Sequence, residues 1–239
     1  GQALRLTFRG PHRFEEASAA WKQLVATADI DDALGVPGSG LMCFGTFTFS
    51  DSSSHESVLI VPQVVIGRQG SSSWRTDISV VGDAPSAQKS GGSQPAKFAP
   101  LHWKSGLVSE EDYVSSVTQM ISQVRDAVAD KVVLARDLVA HAPGVRDWRG
   151  AISRLTEAYP DCQTFAIDGF VGSTPETLAK VDRGRLSIRV LAGSIARGSN
   201  PADDRGKAQE LITSAKDNDE HRYAVNSVLE SLEALTPHA

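Results

Sequence analysis

Between Thr164 and Ser194 the chain fits three strand-like runs into a short distance: T-F-A-I-D-G-F-V-G, E-T-L-A-K-V and R-L-S-I-R-V-L-A-G-S. The stretches between them are too short for a helical crossover, so successive runs pair antiparallel. D-R-G at 182–184 supplies the turn between the last two. This meander commits that part of the chain to an antiparallel sheet.

The remaining segments extend the pattern. Gly40 to Ser50 alternates Phe47 and Phe49 with Thr46 and Thr48, and a polar turn to Ser57 leads into S-V-L-I-V-P-Q-V-V-I-G, ended by Gly67. The pair reads as a hairpin with a Ser-rich loop. His12 to Ala28 has helical spacing through Phe14, Ala17, Trp21, Leu24 and Val25. Asp83 to Pro100 mixes Pro, Gly, Ser, Ala and Lys and is expected to be a mobile loop or linker. Ser109 is placed to cap a helix, with Asp112 three residues on and a stripe through Tyr113, Val117, Met120, Ile121, Val124 and Val128.

D-K-V-V-L-A-R-D-L-V-A, Asp130 to Ala140, reads as a strand with Lys131, Val133, Ala135 and Asp137 on one face. Arg136, on the other face, is expected in an ion pair beneath the sheet. Trp148 to Tyr159 predicts a short helix closed by Pro160, and Gly206 to Leu235 a long final one. The order is strands, helix, strand, helix, strands, helix, with no internal repeat. The expected class is α+β, with large, mostly antiparallel sheets and packed helices.

Composition narrows the function. The 239 residues are 41% hydrophobic, ample for a core, and carry a net charge of −5. No block of Lys and Arg marks a nucleic-acid surface, and no apolar run reaches membrane-spanning length. The N-terminal G-Q-A-L-R-L-T-F-R-G lacks the apolar core and cleavage site of a signal peptide. Cys43 and Cys162 lie far apart, which suits a reducing cytoplasm and not a zinc site. An acidic protein acting on an anionic substrate needs a local source of positive charge, such as a metal ion.

Three places combine charge with constrained backbone. One is Lys131, which could also be an ordinary strand-end lysine reaching water. Another is Gly172-Ser173-Thr174-Pro175-Glu176, where Glu176 is either a presented acid or a solvated turn residue. The third is Ser214 to His221, which crowds Lys216, Asp217, Asp219 and Glu220 together. Asp217 and Glu220 fit a capping box, with Asp217 as the N-cap. Yet Ala224, Val225, Val228, Leu229, Leu232 and Leu235 form one helical stripe that includes His221, and Glu220 sits at its edge. A carboxylate flanking a buried stripe is more suggestive than one on the solvent face, since unpaired buried charge is costly, and a cation would satisfy it. Gly193-Ser194, after a strand, offers backbone N–H groups to a carboxylate. The other histidines lack ligand spacing, and no nucleophile elbow, phosphate loop or dinucleotide fingerprint is present.

Four of these pieces, K-V-V-L-A-R at 131–136, F-V-G-S-T-P-E-T-L at 170–178, L-A-G-S at 191–194 and S-A-K-D-N-D-E-H at 214–221, resemble the chorismate-utilising enzymes in order and rough spacing. The likeness is to the isochorismate synthases in particular, covers roughly Glu110 to Leu235, and implies an anthranilate synthase component I-like fold. It implies that Lys131 is the base activating water for attack on C2 of chorismate and that Glu176 is the acid protonating the departing C4 hydroxyl. Gly193 and Ser194 would hold a substrate carboxylate. Glu220 would ligate Mg²⁺, with Asp217 in or near its second shell, and the metal would bind the ring carboxylate. In the ammonia-using anthranilate and aminodeoxychorismate synthases the position of Lys131 looks like glutamine; lysine favours water.

The resemblance also implies a larger domain. Residues 1–82 would be its strand-rich start, 83–100 a loop, and 101–239 the first half of the catalytic region. A C-terminal half, on the same polypeptide or a second chain, would supply a further Mg²⁺-binding glutamate and groups for the pyruvyl side. The expected reaction is formation of isochorismate for siderophore or menaquinone synthesis. The rivals are a salicylate synthase, which goes on to eliminate pyruvate, and a non-catalytic fragment acting as a binding module.

Overall fold

The computed structural model describes residues 1–82, 101–129, 132–142 and 147–235. The expected loop at 83–100 and Lys131 lie outside the described residues. The chain forms two compact units: 1–154 with 165–171, and 155–164 with 172–239.

The first unit opens with β1 (Gln2–Phe8) and α1 (Arg13–Thr27), followed by β2 (Phe44–Thr46) and β3 (Ser57–Pro62). These strands make a sheet in the order β1-β3-β2, antiparallel throughout. Its centre, β3, is buried from Ser57 to Val61, which explains why its sequence is a continuous apolar run instead of an alternating one. Val58, Leu59, Ile60 and Val61, with Val65 and Ala17 of α1, form the apolar core among the described residues.

A buried arginine joins the helix to the β2–β3 loop. Arg13, only 3% exposed, donates to the carbonyls of Thr48 (2.9 Å), Phe49 (2.8 Å) and Gly10 (2.9 Å) and pairs with Asp51. Its guanidinium lies 4.5 Å over the Phe14 ring, which stacks on Phe47 at 4.8 Å. Ser57, also buried, accepts from the Thr48 N–H at 3.0 Å. Both buried polar side chains thus have hydrogen-bond partners, as burial requires.

The expected second run of the hairpin splits at Gln63. β4 (Val64–Gln69) pairs instead with β5 (Ser72–Asp77) around Gly70, at φ +59°. β6 (Trp103–Ser105) precedes α2 (Glu110–Arg125), and Ser109 caps α2 as expected, its Oγ accepting from the Asp112 N–H at 3.0 Å.

The long strand expected at 130–140 is corrected. Only β7 (Leu138–Ala140) is strand, paired antiparallel with the three residues of β6. Just beyond it, Gly106 N–H donates to the Asp137 carbonyl at 3.1 Å and Leu107 N–H to the Asp137 carboxylate at 2.9 Å. Residues 132–137 are irregular, and Val133 is 79% exposed. Arg136 does form an ion pair, with Glu110 of α2 at 3.5 Å.

α3 (Arg149–Ala158) fits the predicted short helix, and β8 (Gln163–Ile167) and β9 (Phe170–Thr174) form a two-stranded sheet. Asp168 (φ +52°) and Gly169 (φ +84°) turn it, the paired positive φ of a type I′ hairpin. The turn belongs to the first unit, where Arg5 of β1 donates to Asp168 at 2.8 Å.

In the second unit, β10 (Lys180–Asp182) and β11 (Arg185–Ser187) pair around Arg183 and Gly184, the D-R-G turn read from the sequence. The longer strands expected on either side are not formed. The sheets are therefore small, one of three strands and the others of two among the described residues, rather than large. The final helix is also two: α4 (Pro201–Thr213) and α5 (Ala215–Leu235), broken at Ser214 with ψ 114°. Asn200 caps α4 through the N–H groups of Ala202 and Asp203, with Pro201 at the first helical position.

Candidate active site

The second unit brings two of the expected site residues together. Gly193 has φ +78°, a conformation that L side chains rarely adopt. A Cβ there would lie 2.9 Å from the Asp217 Cβ and 3.1 Å from its Oδ1. Glycine at 193 thus serves both the turn and the close approach of backbone to the first turn of α5. Glu220 follows Asp217 by three residues, on the same helical face. Both carboxylates are half-buried, whereas Ser194 is exposed.

The cap of α5 corrects the sequence reading. Ser214, not Asp217, is the N-cap: its Oγ accepts from the Asp217 N–H at 3.3 Å, and its carbonyl accepts from the Asn218 N–H at 3.0 Å. The S-x-x-D spacing at 214–217 carried this signal. With Ser214 doing the capping, the Asp217 side chain is not needed as a cap and faces Gly193. Lys216 approaches Glu220 to 3.9 Å, an i,i+4 pair that the sequence spacing also contained.

Ahead of α4, Arg197 grips Asp204 with two hydrogen bonds, Nε to Oδ1 at 2.7 Å and Nη2 to Oδ2 at 2.6 Å. Gly198 N–H adds a third to Asp204 Oδ1 at 2.9 Å, and Ser199 N–H donates to Asp203 at 2.7 Å. The Arg197 bond above all, then the Gly198 N–H, holds the Asp204 carboxyl down to about 2. This clasp folds the loop after Ser194 back onto α4.

Glu176 follows β9 in an exposed turn, and its N–H donates to Thr174 Oγ1 at 3.2 Å. At the base of the hairpin the Thr164 and Ser173 hydroxyls are bonded at 3.0 Å, and Gln163 donates to Thr177 at 3.0 Å. Lys131 lies outside the described residues. His221, on the stripe as predicted, lines an apolar groove of about 400 Å³ with Leu186, Ile188, Val190, Val225 and Val228.

The donors fit a hard cation in kind. Mg²⁺ commonly takes one or two protein carboxylates and completes its shell with water and substrate oxygens. Asp217 and Glu220 are a two-carboxylate set, and no cluster of three or more His, Cys, Asp or Glu occurs among the described residues. Cys43 and Cys162 are both free, and burial pushes the Cys43 thiol up. No helix among the described residues is long and apolar enough to cross a membrane.

Comparison with known proteins agrees with the motifs. The family described as chorismate binding enzyme matches residues 1–239. The salicylate biosynthesis isochorismate synthase of Pseudomonas aeruginosa is 31% identical over 153 residues, which is 60% of this chain and 32% of that protein. The isochorismate synthase MenF of Bacillus subtilis is 34% identical over 125 residues, 51% of this chain and 26% of that protein. Anthranilate synthase component 1 of Haloferax volcanii is 33% identical over 122 residues, 49% of this chain and 23% of that protein. The chain thus covers about a third or less of each of these relatives. No solved structure matches it. The chain belongs to the chorismate binding enzyme family.

Proposed function

We propose that this chain is the first half of the catalytic domain of an isochorismate synthase, an isomerase that converts chorismate to isochorismate. The observation that carries the reading is lysine at 131 in a chain of this family, where the ammonia-using members look to have glutamine. The named isochorismate synthases among its relatives support it.

In the reaction, neutral Lys131 takes a proton from water as the oxygen bonds to C2. The ring double bond shifts and the C4–O bond breaks. Glu176 delivers its proton to the departing hydroxyl, so one water enters and one leaves. The reaction requires a neutral Lys131 and a protonated Glu176 at the start. Gly193 and Ser194 bind a substrate carboxylate through backbone N–H. Glu220, with Asp217 beside it, would hold Mg²⁺, which supplies positive charge to the ring carboxylate when bound. Two free cysteines support a cytoplasmic setting, and the product would enter siderophore or menaquinone synthesis.

The second half of the site comes from further polypeptide. Exposed Leu178, Leu186, Leu191 and Leu229 in the second unit support this, since such surfaces are normally covered. The test is incubation of the full-length protein with chorismate and Mg²⁺, with products separated by chromatography. Isochorismate is expected, and Lys131→Ala or Glu176→Gln should abolish it while folding survives. Salicylate formed without a separate lyase replaces the reading with salicylate synthase. Chorismate bound and unchanged makes the protein a binding module. Full activity from a 25.5 kDa species overturns the need for a second half.

A further inference from the structure

The loop that follows the L-A-G-S motif is docked at two glycines, and every residue involved lies in the second unit. Residues 188–198 belong to no strand or helix, so no ladder holds them. Gly193 lies against Asp217 in the first turn of α5. Gly198 lies against the first turn of α4: a Cβ there would fall 2.5 Å from the Asp204 Cα and 2.6 Å from the Asp203 carbonyl carbon. Gly198 is not in the left-handed region, so the close approach alone calls for glycine. Backbone meets backbone at that point, and neither can swing away as a side chain would. The helix also grips the loop through its carboxylates. Asp204 accepts from the Gly198 N–H at 2.9 Å and Asp203 from the Ser199 N–H at 2.7 Å. Arg197, its side chain 88% exposed, braces the Asp204 carboxylate from outside.

We propose that Gly198 and Asp204 are positioning residues: they dock the loop on α4 and so keep the backbone N–H groups of Gly193 and Ser194 in place to receive a substrate carboxylate. The proposal rests on those two groups binding that carboxylate. Among the described residues neither N–H meets an acceptor, which leaves both donors for a ligand. Only Ser194, Ile195, Ala196 and Arg197 separate the two glycines, at most about 18 Å of extended chain, so a shift at Gly198 is felt at Gly193. Donors fixed before the ligand arrives cost no ordering when it binds. A carboxylate held equally in the ground and transition states contributes to KM and not to kcat.

The experiment measures kcat and KM for chorismate in the full-length protein for Gly198→Ala, Asp204→Ala and Asp204→Asn, with Ser194→Pro and Ala208→Gly alongside. A hydrogen bond to a charged group is worth roughly 10- to 100-fold in binding, so displaced donors should raise KM by on the order of 10-fold in the first two variants. Their kcat should stay within about twofold. Asp204→Asn keeps an oxygen for the Gly198 N–H and should recover part of the loss. Ser194→Pro lacks the Ser194 N–H and should raise KM directly. Ala208→Gly weakens α4 at an exposed position away from the loop and should leave KM within about twofold. Wild-type KM in Gly198→Ala and Asp204→Ala, with Ser194→Pro impaired, overturns the docking role and leaves the carboxylate reading standing. An equal rise in KM in Ala208→Gly makes the effect one of helix stability and overturns the docking role as well. Wild-type KM in Ser194→Pro overturns the carboxylate reading and the proposal with it.

Discussion

The sheet of β1, β3 and β2 and the helical region of α4 and α5 are held together in opposite ways. In the first, contacts distant in sequence do the work: β3 is sandwiched between two strands, and Arg13 reaches across to residues 48–51. In the second, no described residue is buried, and the recorded bonds are mostly local: the Asn200 and Ser214 caps, the Arg197–Asp204 clasp and the Lys216–Glu220 pair. Isolated helices are marginal in water, and exposed ion pairs contribute little. The first region can hold its shape from its own core. The second has its geometry specified locally and its apolar faces still to be covered.

Arg13→Ala should be the most damaging change. It leaves three carbonyls without their donor inside the first unit, at about 3 kcal/mol or more. Urea unfolding of the 239-residue chain would measure it; a loss below about 1 kcal/mol would mean that the buried arginine is not what ties α1 to the sheet.

Truncating apolar residues in both regions tests the contrast directly. Val58→Ala, in the core, is expected to cost about 2 kcal/mol, whereas Leu229→Ala should cost less than about 0.5 kcal/mol in this chain. In the full-length protein Leu229→Ala should become expensive as well. Equal costs at the two positions in the 239-residue chain would erase the distinction.

Gly193→Ala comes next, at about 1–2 kcal/mol for the left-handed backbone, with crowding of Asp217 in addition. Because the strain falls on the candidate site, chorismate and Mg²⁺ binding by calorimetry should weaken more than the folding midpoint shifts. Unchanged binding would remove the Gly193–Asp217 contact from the site.

The smallest effect is in acid. Asp204 is depressed in the folded state, so its stabilising contribution is fully present above the ordinary value of 3.8 and is lost as pH falls through about 2. Helical circular dichroism should decline over that window, and Asp204→Asn should flatten the decline. An identical acid profile in the variant would show that the clasp does not support α4.

Local chemistry explains which parts were legible in the sequence. α1, α2 and α3 follow from apolar period, and Ser109 from cap spacing; each is decided within a few residues. The D-R-G turn is legible because few residues accept two consecutive positive φ values. The strand at 130–140 failed because strand length is set by the partner, and β6 offers only three residues. The break at Ser214 was hidden because a serine that ends α4 and caps α5 leaves the apolar spacing almost undisturbed. Within the site, residue types were readable from motifs, but the approach of Gly193 to Asp217 is tertiary and left no pattern along the chain. The identity of Glu110 as the partner of Arg136, and the Tyr113 bond to the Leu134 carbonyl, left none for the same reason.

The β8–β9 hairpin contributes its turn to one unit and its base to the other, so the chain passes between the units three times. No single cut separates them. During synthesis β1, β2 and β3, all within the first 62 residues, can pair early. The Arg5–Asp168 bond, between residues 163 apart in sequence, must wait until the chain has reached the hairpin. The first unit is therefore built in two instalments, and a nascent chain stalled before the hairpin would hold its sheet but lack that closing contact.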